Sequence, residues 1–299
     1  MRILITGGTG LIGRRLCEAL TSRGDLVTVL SRRPESVPRL CGIEVGAIAS
    51  LDQWTPEMVF DAVINLAGEP IVDARWTASR QKKLLDSRVA LTEQLVNKIN
   101  QASHRPQVLI SGSAIGYYGL VADRRLVEED NAGDDFPAFL CLAWEKEALA
   151  VTASGVRCVI LRTGLVLDNR GGILKKMLLP FRCALGSRLG DGQQWMSWIH
   201  WEDYLNSVLT LLDDTSATGF YNLTAPQPVT NADFTRSLGQ AVHRPAIFVA
   251  PAWLLRLAMG ERSDLLLGGQ RVIPQRLLAR AFNFHFPDLA SALKDLIER

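Results

Sequence analysis

The chain has 299 residues, 47% hydrophobic and 21% charged, a globular balance that excludes a disordered chain and can bury a sizeable core in one main body. Its formal net charge is only +2, and basic residues are scattered among acidic ones, which argues against nucleic acid as a partner. The five cysteines (Cys17, Cys41, Cys141, Cys158, Cys183) are odd in number and contain no CxxC pair, and neither a signal-peptide core nor a membrane-length apolar run occurs; the expectation is a soluble, cytoplasmic protein without a metal site.

Strand-like apolar runs occupy residues 3–5, 27–30, 43–45, 62–66, 108–110 and 158–161, separated by helical stretches at 11–22, 78–100 and 139–153. Such alternation predicts a doubly wound parallel sheet. In the second helical stretch Leu84, Leu85, Val89, Leu91, Leu95, Val96 and Ile99 repeat at helical spacing, so a single amphipathic helix is expected there. After about Gly164 the rhythm breaks into Gly-rich, Pro-punctuated segments such as GSRLGDG at residues 186–192.

Residues 2–13 read RILITGGTGLIG, a strand entering a glycine-rich turn that opens a helix, and that context marks a dinucleotide site. Gly7 and Gly8 permit the tight turn, Gly10 lets the backbone approach a pyrophosphate, and Gly13 allows close helix-to-strand packing. Leu11, Ile12 and Gly13 form the first helical turn, whose N-terminus faces the anion. The fold class is therefore α/β, a Rossmann doubly wound parallel sheet over residues 1–165. A smaller C-terminal substrate lobe is expected over 166–299, with some later segments returning to the first domain.

Where an NAD-preferring protein ends its second strand with an acid for the ribose 2′-hydroxyl, this chain has Ser31-Arg32-Arg33. No carboxylate repels a 2′-phosphate there, Ser31 can donate a hydrogen bond, and either arginine supplies a charged fork, so NADP(H) is the expected cofactor. Leu66, Ala67 and Gly68 close the fourth strand beside the same crevice. The small residues of this segment suit a backbone wall against the cofactor, and a tight strand end explains them equally well.

In order, GGTGLIG, VINLAG (63–68), SGSAIGYYG (111–119), VILRTGLVL (159–167), WIHWEDY (198–204) and GFYNLTAPQPVT (219–230) resemble the extended short-chain dehydrogenase/reductase superfamily over nearly the whole chain. The chain is more closely similar to the atypical branch, the YfcH-type epimerase family, whose C-terminal segment of unknown function corresponds to about residues 250–286. In active members of the superfamily a YxxxK helix supplies a proton-exchanging tyrosine and a lysine that lowers its pKa. Aligned on Trp144-Glu145, Pro137 stands at the tyrosine position and Cys141 at the lysine position, so both groups are absent.

The resemblance leaves Ser113 at the position that orients substrate, with Ser111 a weaker second, and Arg88 where relatives have an asparagine. Tyr117 and Tyr118 follow closely enough to be candidate proton donors, although buried tyrosines commonly just anchor a hydrogen bond. Cys141 is either a nucleophile activated by a nearby cation or a small buried hydrophobe, and the second is expected. His200 is expected to tie the lobe to the sheet. Trp195, Met196 and Trp198 suit a pocket lining or a core, and Arg162 either faces an anionic substrate group or makes a surface salt bridge.

The functional expectation is an NADP(H)-dependent oxidoreductase or epimerase acting on an unknown small polar or sugar-derived substrate. Its catalytic residues are drawn from Ser113, Tyr117, Tyr118 and Arg88. The rival is a catalytically silent NADP(H)-binding module that regulates a partner, and a homodimer is one assembly open to either.

Overall fold

A computed structural model describing residues 1–121 and 123–298 brings seven strands into one parallel sheet. They are β1 (Arg2–Thr6), β2 (Leu26–Leu30), β3 (Gly46–Ile48), β4 (Ala62–Asn65), β5 (Val108–Ala114), β6 (Arg157–Thr163) and β7 (Gly219–Leu223). Their spatial order is β7-β6-β5-β4-β1-β2-β3, so the winding reverses between β1 and β4. In an open parallel sheet that reversal opens a crevice at the carboxyl ends of the strands. The helices used below are α1 (Leu11–Ser22), α2 (Ala78–Leu85), α3 (Leu91–Gln101), α4 (Phe136–Leu149), α5 (Trp201–Asp213), α6 (Asn231–Ala241) and α7 (Leu289–Glu298).

Strand side chains alternate between faces, and both faces of this sheet are apolar because helices cover both. Ile3, Ile5, Val27, Val29, Ile64, Ile110 and Leu161 share one core with Leu16 and Leu20 of α1 and Val208 and Leu211 of α5. Leu4, Val63, Leu109 and Ile160 share the other with Leu95 and Ile99 of α3 and Ala148 of α4. A third core in the lobe joins Leu174, Phe181, Trp198, Phe234, Leu238, Leu293 and Leu296. Met196 and Trp198 are thus core residues.

Four expectations are corrected. The third strand begins at Gly46, not residue 43, because the chain turns at Gly42 (φ 120°) and leaves Ile43 88% exposed. β5 runs on to Ala114, since the small residues Ser111, Gly112 and Ser113, which hide its apolar pattern, still pair with Ile160, Leu161 and Arg162. α4 starts at Phe136, not 139: the Asp135 side chain accepts from the Ala138 amide, and Pro137 occupies the first turn, where no N–H is needed. The single helix expected over 78–100 is interrupted by a π-helical turn, Asp86–Ala90, between α2 and α3. That wider turn carries Arg88, in line with the tendency of π-bulges to sit at functional positions.

Two clusters of polar contacts fasten the lobe. Arg15 on the inner side of α1 makes a two-pronged ion pair with Asp168 (2.6 and 2.7 Å), and its guanidinium lies 3.5 Å from the Trp201 ring. The Asp203 carboxylate accepts the backbone amides of His285 and Phe286 (2.8 and 2.9 Å). His200 accepts the Glu202 amide as the cap of α5, stacks 3.9 Å from Phe286, and holds its Nε2 3.2 Å from the Asp295 carboxylate. The structural service expected of His200 is thus to clamp the C-terminal segment onto α5.

Arg15 and Asp168 are 8% and 1% exposed, so truncating one strands the other's charge. Asp168→Ala should lower the unfolding free energy by about 3–5 kcal/mol in urea denaturation, whereas the double change Arg15→Met with Asp168→Leu should recover most of it.

Candidate functional site

The glycine turn after β1 is built from close backbone approaches. Gly7 has φ +72°, and a Cβ there would stand 2.7 Å from the Leu66 carbonyl group. Leu66 and Ala67 therefore form a backbone wall directly against the turn, and the Ala67 amide donates to the Thr6 hydroxyl (3.2 Å). A Cβ on Gly13 would collide with the Gly7 carbonyl, which accounts for the third glycine of the motif. At Gly10 the situation differs: an added Cβ would meet only the Gly7 carbonyl, at 3.2 Å, and otherwise open space. Among the described residues no side chain caps α1, which leaves the helix start, Leu11 to Gly13, without a side-chain acceptor, as suits an anion there. The side chains of Leu11 and Ile12 turn away, Leu11 toward Gly171 of the lobe and Ile12 onto the core.

At the end of β2, Ser31 accepts the Arg33 amide (3.1 Å), and both arginines are exposed, Arg32 to 89% of its side chain. Arg32 reaches across to Glu69 (3.3 Å), beyond the end of β4, and Arg80 meets the same carboxylate from α2 (3.4 Å). Burial alone would raise the Glu69 pKa, but the charges of Lys83 and Arg32 and hydrogen bonds from Arg80 and Arg32 more than offset it and hold the carboxyl below its usual value. So exposed a pair as Arg32–Glu69 contributes little and can open for a competing anion.

Beneath the crevice the polar residues at the ends of β5 and β6 form one buried network. Arg162, 1% exposed, makes a two-pronged pair with Glu145 of α4 (2.9 and 3.0 Å) and donates to the Tyr118 hydroxyl (3.1 Å) and the Glu128 carbonyl (3.0 Å). Burial would lower its pKa, and Glu145 more than reverses that. Neither reading offered for Arg162, a substrate contact or a surface salt bridge, describes it. Ser113 donates to the same Glu145 carboxylate (2.6 Å), and the Tyr118 hydroxyl donates to Asn222 Oδ1 (2.7 Å). Burial pushes the Tyr118 pKa well above its usual value. Ser111 accepts from Asn65 (3.2 Å) deeper in the sheet. The hydroxyls of Ser113 and Tyr118 are therefore spoken for.

Tyr117 is different. It lies half-buried on the short turn Ile115–Tyr118, its ring 3.4 Å from the Arg162 guanidinium, and among the described residues no protein group hydrogen-bonds its hydroxyl. Arg88 lies against Gly68, where an added Cβ would stand 2.8 Å from its Cζ, and donates to the Glu69 carbonyl (2.9 Å). Burial, then the Arg80 charge, draws its pKa down, and no carboxylate salt-bridges it among the described residues. Pro137 is buried. Cys141 is buried too, its thiol 3.7 Å from the Ala114 carbonyl and pushed up to about 11 by burial and then by Glu145. It is the small buried hydrophobe that was expected.

A model of the NAD dependent epimerase/dehydratase family matches residues 3–223, about three-quarters of the chain. The chain belongs to that family. A second model, for a domain of unknown function, matches residues 250–296. The chain is 38% identical over 302 residues to epimerase family protein ML0860 of Mycobacterium leprae, covering 97% of this chain and 94% of the relative. It is 37% identical over 301 residues to mouse epimerase family protein SDR39U1, covering 99% and 100%. A crystal structure of human SDR39U1 (isoform 2) with NADPH superposes with a TM-score of 0.92 at 35% identity and full coverage of both chains. These matches bear out the resemblance to the atypical epimerase branch and the Rossmann fold.

Within the family frame, a cavity of about 550 Å³ opens between Leu120, just past Tyr118, and Leu267 of the C-terminal segment, with Gln194 and Trp195 on its wall. Trp195 is thus the pocket-lining member of its aromatic cluster. Sequence reasoning missed Glu145 and Glu69. Glu145 was visible beside Trp144 as an acid on the sheet-facing side of an apolar helix, which signals a buried cation partner; Glu69 carried no such signal. No helix among the described residues is long and apolar enough to cross a membrane.

Of the five cysteines only Cys183 is exposed. Alkylation of the native protein with iodoacetamide at pH 8 should label Cys183 and leave Cys141 a protonated, unmodified thiol, because its pKa lies above that pH. Peptide mass spectrometry checks the pattern, and labelling of Cys141 at a rate comparable to Cys183 would show the thiol to be activated.

Proposed function

We propose that this protein binds NADP(H) and uses it to oxidise, reduce or epimerise a small polar or sugar-derived substrate at the carboxyl ends of the strands. Its residues fit that cofactor: the open approach at Gly10, the uncapped start of α1, and Arg32 and Arg33 exposed where a 2′-phosphate would lie. Human SDR39U1, crystallised with NADPH, supports the same preference. Leu66, Ala67 and Gly68 would wall the nicotinamide side. When bound, the nicotinamide supplies or accepts a hydride; the remaining tasks fall to the chain's own side chains.

The observation that carries the reading is the division among the hydroxyls after β5. Tyr117 retains an uncommitted O–H, and so can give a proton to a developing alkoxide and recover it from solvent. Ser113 serves as a positioning residue, holding Glu145 and thereby Arg162, on whose guanidinium the Tyr117 ring rests. Arg88 offers a fixed positive charge beside Gly68, replacing the missing lysine's electrostatic role from another helix. The rival, a silent NADP(H)-binding module, is favoured by the inert pair Pro137 and Cys141, and one experiment separates the two. NADPH oxidation with a panel of aldehydes, ketones and keto-sugars supports the enzyme; tight NADPH binding with no oxidation of any supports the module.

NADPH should bind more tightly than NADH. Arg32→Ala and Arg33→Ala should each weaken NADPH selectively, by on the order of 1.5–3 kcal/mol per charged hydrogen bond made, or roughly ten- to a hundredfold. Fluorescence titration measures this, and equal affinity of the unaltered protein for both cofactors would remove the 2′-phosphate assignment.

Once a turnover substrate is in hand, Tyr117→Phe should lower kcat by about a hundredfold or more while NADPH affinity stays within about twofold, as loss of a general acid requires. Full activity in that variant would eliminate Tyr117 as the proton donor.

A further inference from the structure

A second cavity, of about 730 Å³, lies in the lobe and shares no residue with the cofactor crevice. One wall is the face of α6 that carries Thr235, Arg236 and Gln240; the other is the segment 243–249 that follows it, with Arg188 closing one end. The two walls are held in close contact: the Arg244 amide donates to the Gly239 carbonyl (2.9 Å), and a Cβ on Gly239 would stand 2.9 Å from the Arg244 carbonyl. His243 makes the bend between them with φ +53°, a left-handed conformation uncommon outside glycine.

The chemistry of this lining is one-sided. It contains three arginines and a histidine and no carboxylate, in a protein whose formal net charge is only +2. Arg236 is paired with Asp233 (2.9 Å). Arg188 and Arg244 have no acid within salt-bridge distance among the described residues, and the Arg244 guanidinium donates only to the His243 carbonyl (3.1 Å). The Arg188 Nε is buried and, among the described residues, without an acceptor, its side-chain carbons laid over Gly192. Thr235 is 3% exposed and its hydroxyl likewise has no partner among the described residues. Beside these cations stand Ile247, Phe248 and Val249, exposed to 77%, 49% and 47%. Unsatisfied buried donors, unpaired guanidiniums and an uncovered apolar strip in one groove are complementary to a ligand that brings an anionic head and an apolar body.

We infer that this groove is a binding site for a small anionic amphiphile, its carboxylate or phosphate taken by Arg188 and Arg244 and its apolar body laid along Ile247 and Phe248. Its test uses the 299-residue chain saturated with NADPH, so that a probe entering the Rossmann crevice is excluded. The charged probe 8-anilinonaphthalene-1-sulfonate and its uncharged counterpart N-phenyl-1-naphthylamine are titrated by fluorescence against wild type, Arg188→Gln and Phe248→Ser, with unchanged thermal unfolding as the check on folding. Arg188→Gln should weaken the sulfonate about tenfold or more and leave the uncharged probe within about twofold, while Phe248→Ser should weaken both. Displacement of the sulfonate by octanoate ahead of inorganic phosphate identifies a carboxylate ligand, and the reverse order a phosphate. A sulfonate affinity that Arg188→Gln leaves within about twofold, equal weakening of both probes by that change, or displacement by neither anion would overturn the proposal.

Discussion

Arg162 is the constraint around which the carboxyl ends of β5 and β6 are arranged. A guanidinium at 1% exposure must find acceptors, since an unpaired buried charge would be prohibitive. Glu145 supplies both carboxylate oxygens from α4, the Tyr118 hydroxyl and the Glu128 carbonyl supply the rest, and each acceptor is bound in turn. Glu128 accepts the amides of Asn222 in β7 and Arg276 in the C-terminal segment, and Asn222 donates to the Ile273 carbonyl. One buried cation thus links β5, β6, β7, α4 and the segment of unknown function.

That linkage decides which hydroxyls at the strand ends are held in hydrogen bonds. Ser113 and Tyr118 resemble an active-site hydroxyl pair in sequence, but their protons are directed to Glu145 and Asn222. Tyr117, one residue away, contributes its ring to the network as a face against Arg162 and keeps its hydroxyl out of it. Tyr117 and Arg88 both stand outside the hydrogen bonds that join Arg162, Glu145 and Ser113, on different elements, the turn Ile115–Tyr118 and the π-helical turn Asp86–Ala90.

The C-terminal segment is fastened by the same logic of satisfied backbone groups. Ser197 donates to the Gln270 carbonyl and accepts the Val272 amide, the Gln270 side chain donates to the Gly119 carbonyl, and Asp203 caps the chain at His285 and Phe286. Gly119 adjoins Tyr118, so the segment bears directly on the loop that carries the tyrosines. It is packed into that loop and is not an appended tail.

The sequence by itself determined the Rossmann sheet, the glycine turn and the acid-free end of β2, because these depend on local rules. Apolar alternation sets strands, a positive φ or a close backbone contact demands glycine at Gly7 and Gly13, and Ser31-Arg32-Arg33 follows its strand directly. It also contains no YxxxK pair, and the family resemblance implied that Pro137 and Cys141 stand at those two positions. Tertiary structure alone decided what the remaining polar residues do. Arg162 meets Glu145 across 17 residues, Tyr118 meets Asn222 across 104, and Arg15 meets Asp168 across 153. A hydroxyl's partner depends on which side chains the folded sheet brings within about 3 Å, and no local pattern encodes that distance.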